Sequence, residues 1–154
     1  MATAATAKNV ASVQKVLNKQ VANWGLLYVK FHNFHWYVKG TEFFSLHIKF
    51  EELYNEAHQY LDVLAERLLA IDGKPYATMK EYLAESSLKE AKGSESTQQM
   101  IQGIVADCEM LLTELNESMK VAEEAEDETT VDLFLEIHAA LEKQRWMFKA
   151  YLGQ

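Results

Sequence analysis

Along most of this chain, apolar residues return every three or four positions, the spacing that lines up one face of an α-helix. Val10, Val13, Leu17, Val21, Trp24, Tyr28 and Phe31 form one such stripe, which His35 continues. Leu46, Phe50, Leu53, Ala57, Leu61, Leu64, Leu68 and Ile71 form a second. Ile101, Ile104, Cys108, Leu111, Leu115 and Met119 form a third, and Phe134, Ile137, Leu141 and Phe148 a fourth. No segment alternates with the two-residue period of a strand, and no internal repeat or linker interrupts the pattern. The expectation is an all-α chain of four helices, each of about 25–30 residues.

The breaks between stripes set the connectivity. Gly40 ends the first helix, and Thr41 reads as the start signal of the second, Phe43 to Ile71. Asp72-Gly73-Lys74-Pro75 stops that helix with strong turn chemistry. Residues 76–96 then form a long connection with room for a short helix at Met79–Ala84, and Gly93-Ser94 precedes the third helix. An acidic break, Glu123 to Thr130, separates the third helix from the fourth. Two hairpins joined by one long crossover are the ferritin-like connectivity of a four-helix bundle. Residues 1–154 read as a single domain, with small, polar residues 1–7 as a short flexible tail.

Composition narrows the function. A length of 154 residues suits one core. The net charge of -8 disfavours non-specific attraction to nucleic acid or anionic lipid and favours cations. A lone Cys108 excludes an intramolecular disulfide framework and any multi-cysteine zinc site, and fits a reducing interior. No apolar run reaches the roughly 18 residues of a membrane span, and the first residues lack the basic-then-apolar order of a leader. A cytosolic protein is expected.

The second helix carries the chemistry. His47 and Glu51 are four apart, as are Asp62 and Glu66, so each pair shares a helix face and can grip a cation. On a helical wheel the apolar stripe centres about 80° to one side of His47. His47, Glu51, Tyr54, His58, Asp62 and Glu66 centre about 30° to the other side. The step from His47 to Asp62 spans roughly 22 Å of straight helix, so the two pairs cannot meet within one chain. If they form one site, a second copy supplies the other half. An antiparallel pair of these helices, centred near Glu56–Ala57, would set His47 and Glu51 against the partner's Asp62 and Glu66, twice over. A metal site inside the bundle would need Glu-x-x-His on each of two helices, and no glutamate here has histidine three positions later. Taken pair by pair, the same spacings also suit a solvated face, with Glu66 paired to Arg67. His35, at the end of an apolar stripe, needs a polar partner or a metal. His32, offset by about 60°, reads as a supporting or surface residue. Trp36 reads either as a packing residue or as an electron donor beside a redox metal.

Three runs together resemble a known family: His35-Trp36-Tyr37-Val38-Lys39-Gly40, Phe43-Phe44-x-Leu46-His47-x-x-Phe50-Glu51-Glu52-Leu53-Tyr54, and Asp62-x-x-Ala65-Glu66-Arg67. With the C-terminal Glu142-Lys143-x-x-Trp146-Met147-Phe148-Lys149-Ala150-Tyr151-Leu152, they are similar to the Dps family of mini-ferritins over about residues 10–152. The resemblance implies a hollow dodecamer of four-helix bundles. It implies ferroxidase centres at two-fold interfaces, with His35, His47 and Glu51 from one subunit and Asp62 and Glu66 from the other. Iron is the implied metal, bound as Fe(II) in a di-iron site, oxidised by hydrogen peroxide or dioxygen and stored as Fe(III). Trp36 would catch stray oxidising equivalents. Glu51 departs from the family, which often has aspartate there, and the extra methylene bears on the second iron position. Imidazole and carboxylate suit Fe(II) and also bind Zn(II), so the donors alone do not name the metal.

The same resemblance assigns the acids around the fourth helix. Glu123, Asp127 and Asp132 become candidates for a three-fold pore that admits Fe(II), although acids at a helix start also simply complement its dipole. Glu52 and Glu56 become candidates to face the cavity and nucleate mineral, or an ordinary polar face. Some family members bind DNA through a basic N-terminal tail, but residues 1–10 here hold only Lys8. Direct DNA binding is therefore expected to be weak at physiological salt.

Overall fold

The structure, a computed structural model, describes residues 4–154, with side chains from Asn9 onward. Of the stretch read as a tail, residues 1–3 lie outside the described residues. Helix α1 spans Ala4–Tyr37, α2 Phe43–Ala70, α3 Met79–Glu85, α4 Thr97–Glu124 and α5 Glu128–Tyr151. α1 packs along α2 and α4 along α5, giving two hairpins, while α3 and α4 both lie against α1. The long crossover between α2 and α4 carries α3, as the loop lengths require. Among the described residues no helix is long and apolar enough to cross a membrane.

The stripes become one core. Leu17, Val21, Phe50, Leu64, Leu68, Ile101, Ile104, Leu111, Leu115, Phe134 and Ile137 are completely buried. Four stripe positions, Val10, Tyr28, Leu61 and Ile71, are less buried than expected. Val10 is 38% exposed; it lines a groove with Arg67, Ile71 and the α4–α5 turn instead of entering the core. Leu61 is only partly buried. In the other direction, α1 is buried all round from Gln20 to Leu27. One apolar face does not explain this; α2, α3 and α4 surround its middle.

Polar side chains of α1 lace the crossover in place. Asn18 donates to the Lys74 carbonyl at 2.9 Å and accepts from the Tyr76 amide at 2.8 Å. Asn23 accepts from Ser86 Oγ and the Ser87 amide, both at 2.9 Å, and donates to Glu114 at 2.7 Å. Gln14 donates to the Ile71 carbonyl at 2.8 Å. A loop that runs over a helix must find partners for its backbone groups, and these amides supply them.

Helix ends show where local signals were read correctly and where they were not. The residue before α2 is Glu42, with no side-chain cap; Thr41 lies one step earlier in the turn and does not cap the helix. Ser96 and Gln99 form a reciprocal capping box that starts α4 at Thr97, three residues beyond Ser94. A Cβ at Gly73 would stand 2.3 Å from Leu68 Cδ1 and 2.7 Å from its Cγ, so any larger residue there would displace the buried Leu68 side chain. The acidic break is far shorter than expected: α4 continues to Glu124 and α5 begins at Glu128. Asp127 makes this possible. Its carboxylate accepts from the Thr130 amide at 3.0 Å as an N-cap and from Thr130 Oγ1 at 2.6 Å. It also pairs with Arg67 of α2 at 2.7 Å. Arg67 Nε donates to Thr130 Oγ1 at 2.9 Å, closing a triangle that ties the end of α2 to the start of α5.

Two stability outcomes follow. Leu64→Ala, at a fully buried site, should cost about 2–5 kcal/mol in urea denaturation at matched protein concentration. Asp127→Ala should cost about 1–2 kcal/mol through its lost cap, whereas Glu123→Ala and Asp132→Ala, both exposed, should stay within about 0.5 kcal/mol.

Candidate metal centre

The turn from Val38 to Glu42 folds the start of α2 back onto the end of α1, and this brings His35 and His47 together. His35 Nδ1 lies 2.6 Å from the His47 carbonyl oxygen, and His47 Nδ1 lies 2.8 Å from the His35 carbonyl oxygen. A carbonyl only accepts, so each Nδ1 carries the proton and donates. In the neutral ring each Nε2 is then the bare nitrogen, the atom a metal needs. The His35 carbonyl sits in the last turn of α1, where helix carbonyls lack helical partners, so His47 also caps that end. The two rings stack at 3.6 Å and 19°. Phe43 backs the His47 ring at 4.9 Å, and Tyr54 stands edge-on to His35 at 5.3 Å. His35 is only 8% exposed, so both orientations are held by packing as well as by hydrogen bonds.

Glu51 follows His47 by one turn and is exposed. Asp62 and Glu66 are also exposed, four apart on the same helix, but roughly 22 Å farther along it. Among the described residues no group of three or more His, Cys, Asp or Glu side chains converges within one chain. The chain therefore carries two separate groups of metal-type side chains: two imidazoles plus one carboxylate near the start of α2, and two carboxylates near its end. Cys108 adds no donor, since burial pushes its thiol up to about 12, with Asp107 contributing next.

An aromatic layer, only partly legible in sequence, surrounds the imidazoles. His32 lies flat on Tyr54, with ring centroids 3.8 Å apart, and its Nδ1 donates to the Tyr28 carbonyl at 2.7 Å. Trp36 approaches His32 at 5.2 Å while remaining 68% exposed. His32 is thus a support for Tyr54, which in turn braces His35. Desolvation, then the Glu51 carboxylate, raises the Tyr54 phenol above its ordinary value, so it stays protonated at neutral pH. Tyr28, read as a core residue, instead lines this layer half-buried. Its place on the apolar stripe gave no hint of that, because the stripe ends where α1 meets the imidazoles.

The remaining acids separate by their partners. Glu123 and Asp132 are exposed, and Asp127 is engaged by Arg67 and Thr130. Glu52 is exposed and paired with Lys49 at 2.7 Å. Glu56 is not a free carboxylate: Gln144 of α5 donates to it. Burial raises its pKa, against a hydrogen bond from Tyr60 that lowers it.

Residues 14–154 match the Ferritin family, a ferritin-like domain. General stress protein 20U of Bacillus subtilis (strain 168) is 58% identical over 139 residues, covering 90% of this chain and 96% of that protein. DNA protection during starvation protein 2 of Bacillus anthracis is 55% identical over 142 residues, covering 92% of this chain and 97% of that protein. The crystal structure of a Dps protein from Bacillus brevis matches with a TM-score of 0.94 at 50% identity, over 99% of each chain. Identity at this level along nearly the whole length, on the same two hairpins and crossover, shows that the chain belongs to the Dps family of ferritin-like proteins.

Proposed function

We propose that this protein is a cytosolic ferroxidase and iron store that works as a hollow homododecamer. The observation that carries the reading is the His35–His47 pair, whose Nδ1 atoms are both committed to backbone carbonyls, leaving two Nε2 donors beside Glu51. Asp62 and Glu66 of a second copy, facing them across a two-fold axis, complete a mixed nitrogen and oxygen site for Fe(II), the substrate. Two copies paired in this way hold two identical sites.

In this reading His35 and His47 hold one ferrous ion in fixed orientation, and Glu51 with the partner's Asp62 and Glu66 draws a second close to it. Two ferrous ions each release one electron. Together they reduce one hydrogen peroxide to two waters, taking up two protons, so that no hydroxyl radical leaves the site. Dioxygen is the alternative oxidant. Trp36, exposed and beside His32, intercepts oxidising equivalents that escape. Glu123 and Asp132, exposed in the protomer, form the acidic lining through which Fe(II) reaches the interior. Asp127 orders that turn through Arg67 and contributes less charge to it. Glu52 is the better candidate to seed mineral, since Glu56 is already held by Gln144.

Protection of DNA, the property in the name of the Bacillus anthracis relative, is here indirect, through removal of Fe(II) and peroxide. A net charge of -8 per chain, repeated around an assembly, opposes contact with phosphate.

Stopped-flow oxidation of Fe(II) by peroxide tests the site. Asp62→Ala together with Glu66→Ala should slow it at least about tenfold in an assembly of unchanged mass, a loss in keeping with removing metal-site groups. An unchanged rate would refute the shared centre. In a gel-shift at about 0.15 M salt without divalent ions, the protein should leave duplex DNA unshifted; a tight shift would contradict the charge argument.

A further inference from the structure

His58 is the residue of the ligand-bearing face that the proposed centre leaves unused. It lies on α2, four residues before Asp62, and is exposed. On the helical wheel it falls about 20° from His47, within the sector of Glu51 and Asp62. Of the five histidines in the chain, His32, His35 and His47 each commit Nδ1 to a backbone carbonyl, and His138 stands 3.7 Å from Glu142. His58 has only a ring contact, with Tyr28 at 5.8 Å, and neither of its nitrogens has a hydrogen-bond partner among the described residues.

The position of His58 along the helix gives it a destination. If His47 faces the partner's Glu66 and Glu51 faces the partner's Asp62, both pairings centre on the peptide between Glu56 and Ala57. His58 is one and a half residues from that point. The two copies of His58 then lie about 4.5 Å apart along the helix direction, on facing helices whose axes pack at about 8–10 Å. We propose that the two His58 imidazoles form a third metal site on the two-fold axis, midway between the two ferroxidase centres. The proposal rests on the subunit pairing argued above. Two neutral imidazoles, with the partner's Asn55 opposite each of them and water completing the shell, suit a borderline divalent cation such as Zn(II) or Co(II), and not Mg(II) or Ca(II). The site holds one ion per pair of subunits and clips the pair together without taking part in iron oxidation.

Zinc titration by calorimetry on the full-length assembly tests this. With Asp62→Ala and Glu66→Ala in place to disable the ferroxidase centres, one zinc per two subunits should remain, and adding His58→Ala should abolish it. In the otherwise unchanged protein, His58→Ala should lower zinc binding by half an ion per subunit while leaving the rate of peroxide-dependent Fe(II) oxidation unaltered. Zinc stoichiometry that ignores His58, or a His58-dependent zinc on every subunit, would overturn the proposal. A measurement free of metal affinity guards against a variant that assembles poorly. His58→Cys protein treated with a short bismaleimide should give a covalent dimer on a denaturing gel, and the parent chain, whose Cys108 is buried, should not. Absence of that dimer would overturn the placement on the axis. Should the wild-type protein fail to oxidise Fe(II) while the His58 zinc and the cross-link are both found, the ferroxidase reading falls and this site stands.

Discussion

Two imidazole–carbonyl hydrogen bonds close the α1–α2 hairpin at its turn, and the orientation of both Nε2 atoms depends on them. Each histidine uses the other's backbone as its partner. The exchange satisfies a carbonyl at the end of α1 and selects the tautomer of both rings in one arrangement. Its precision comes from the surroundings. Phe43 and Tyr54 pack on the rings, and His32 packs on Tyr54. Two rings held this way need no reorganisation to present both Nε2 atoms.

The same helix that carries His47 also carries Asp62 and Glu66 near its other end, and the bundle holds both ends of α2 in place. At the near end the hairpin turn does this. At the far end Arg67, next in sequence to Glu66, reaches across to Asp127 and Thr130 at the start of α5. Neutralising Asp127 in this way turns a member of an acidic cluster into a structural cap. The charge left toward solvent belongs to residues such as Glu123 and Asp132. A structural carboxylate and solvent-facing ones therefore sit within a few residues of each other, and the structural one is the carboxylate that Arg67 reaches.

Much of the fold was legible because helix period and loop length are local properties. The stripes located all four long helices, Met79 marked the start of the short one, and a long connection between two short ones identified the crossover. Cap positions were less legible. Thr41 has the right chemistry for a helix start, yet Glu42 occupies the position, since the tight turn after Gly40, at φ 108°, sets the backbone there. The all-round burial of α1 between Gln20 and Leu27 was not legible either, because it comes from three neighbours and not from any periodicity.

By itself the sequence determined that His47 and Glu51 share a helix face with Asp62 and Glu66, and that one chain cannot bring the two pairs together. Both conclusions follow from the rise and twist of an α-helix, which do not depend on what packs around it. Only the tertiary structure decided which ring nitrogen of His35 and His47 is taken up by a carbonyl, that Asp127 and Glu56 are already engaged, and that His58 has no hydrogen-bond partner among the described residues. These depend on contacts between residues far apart in the chain, such as Arg67 with Asp127 and Gln144 with Glu56. Long-range partners of this kind leave no periodic trace in the order of amino acids, because what selects them is the packing of whole helices.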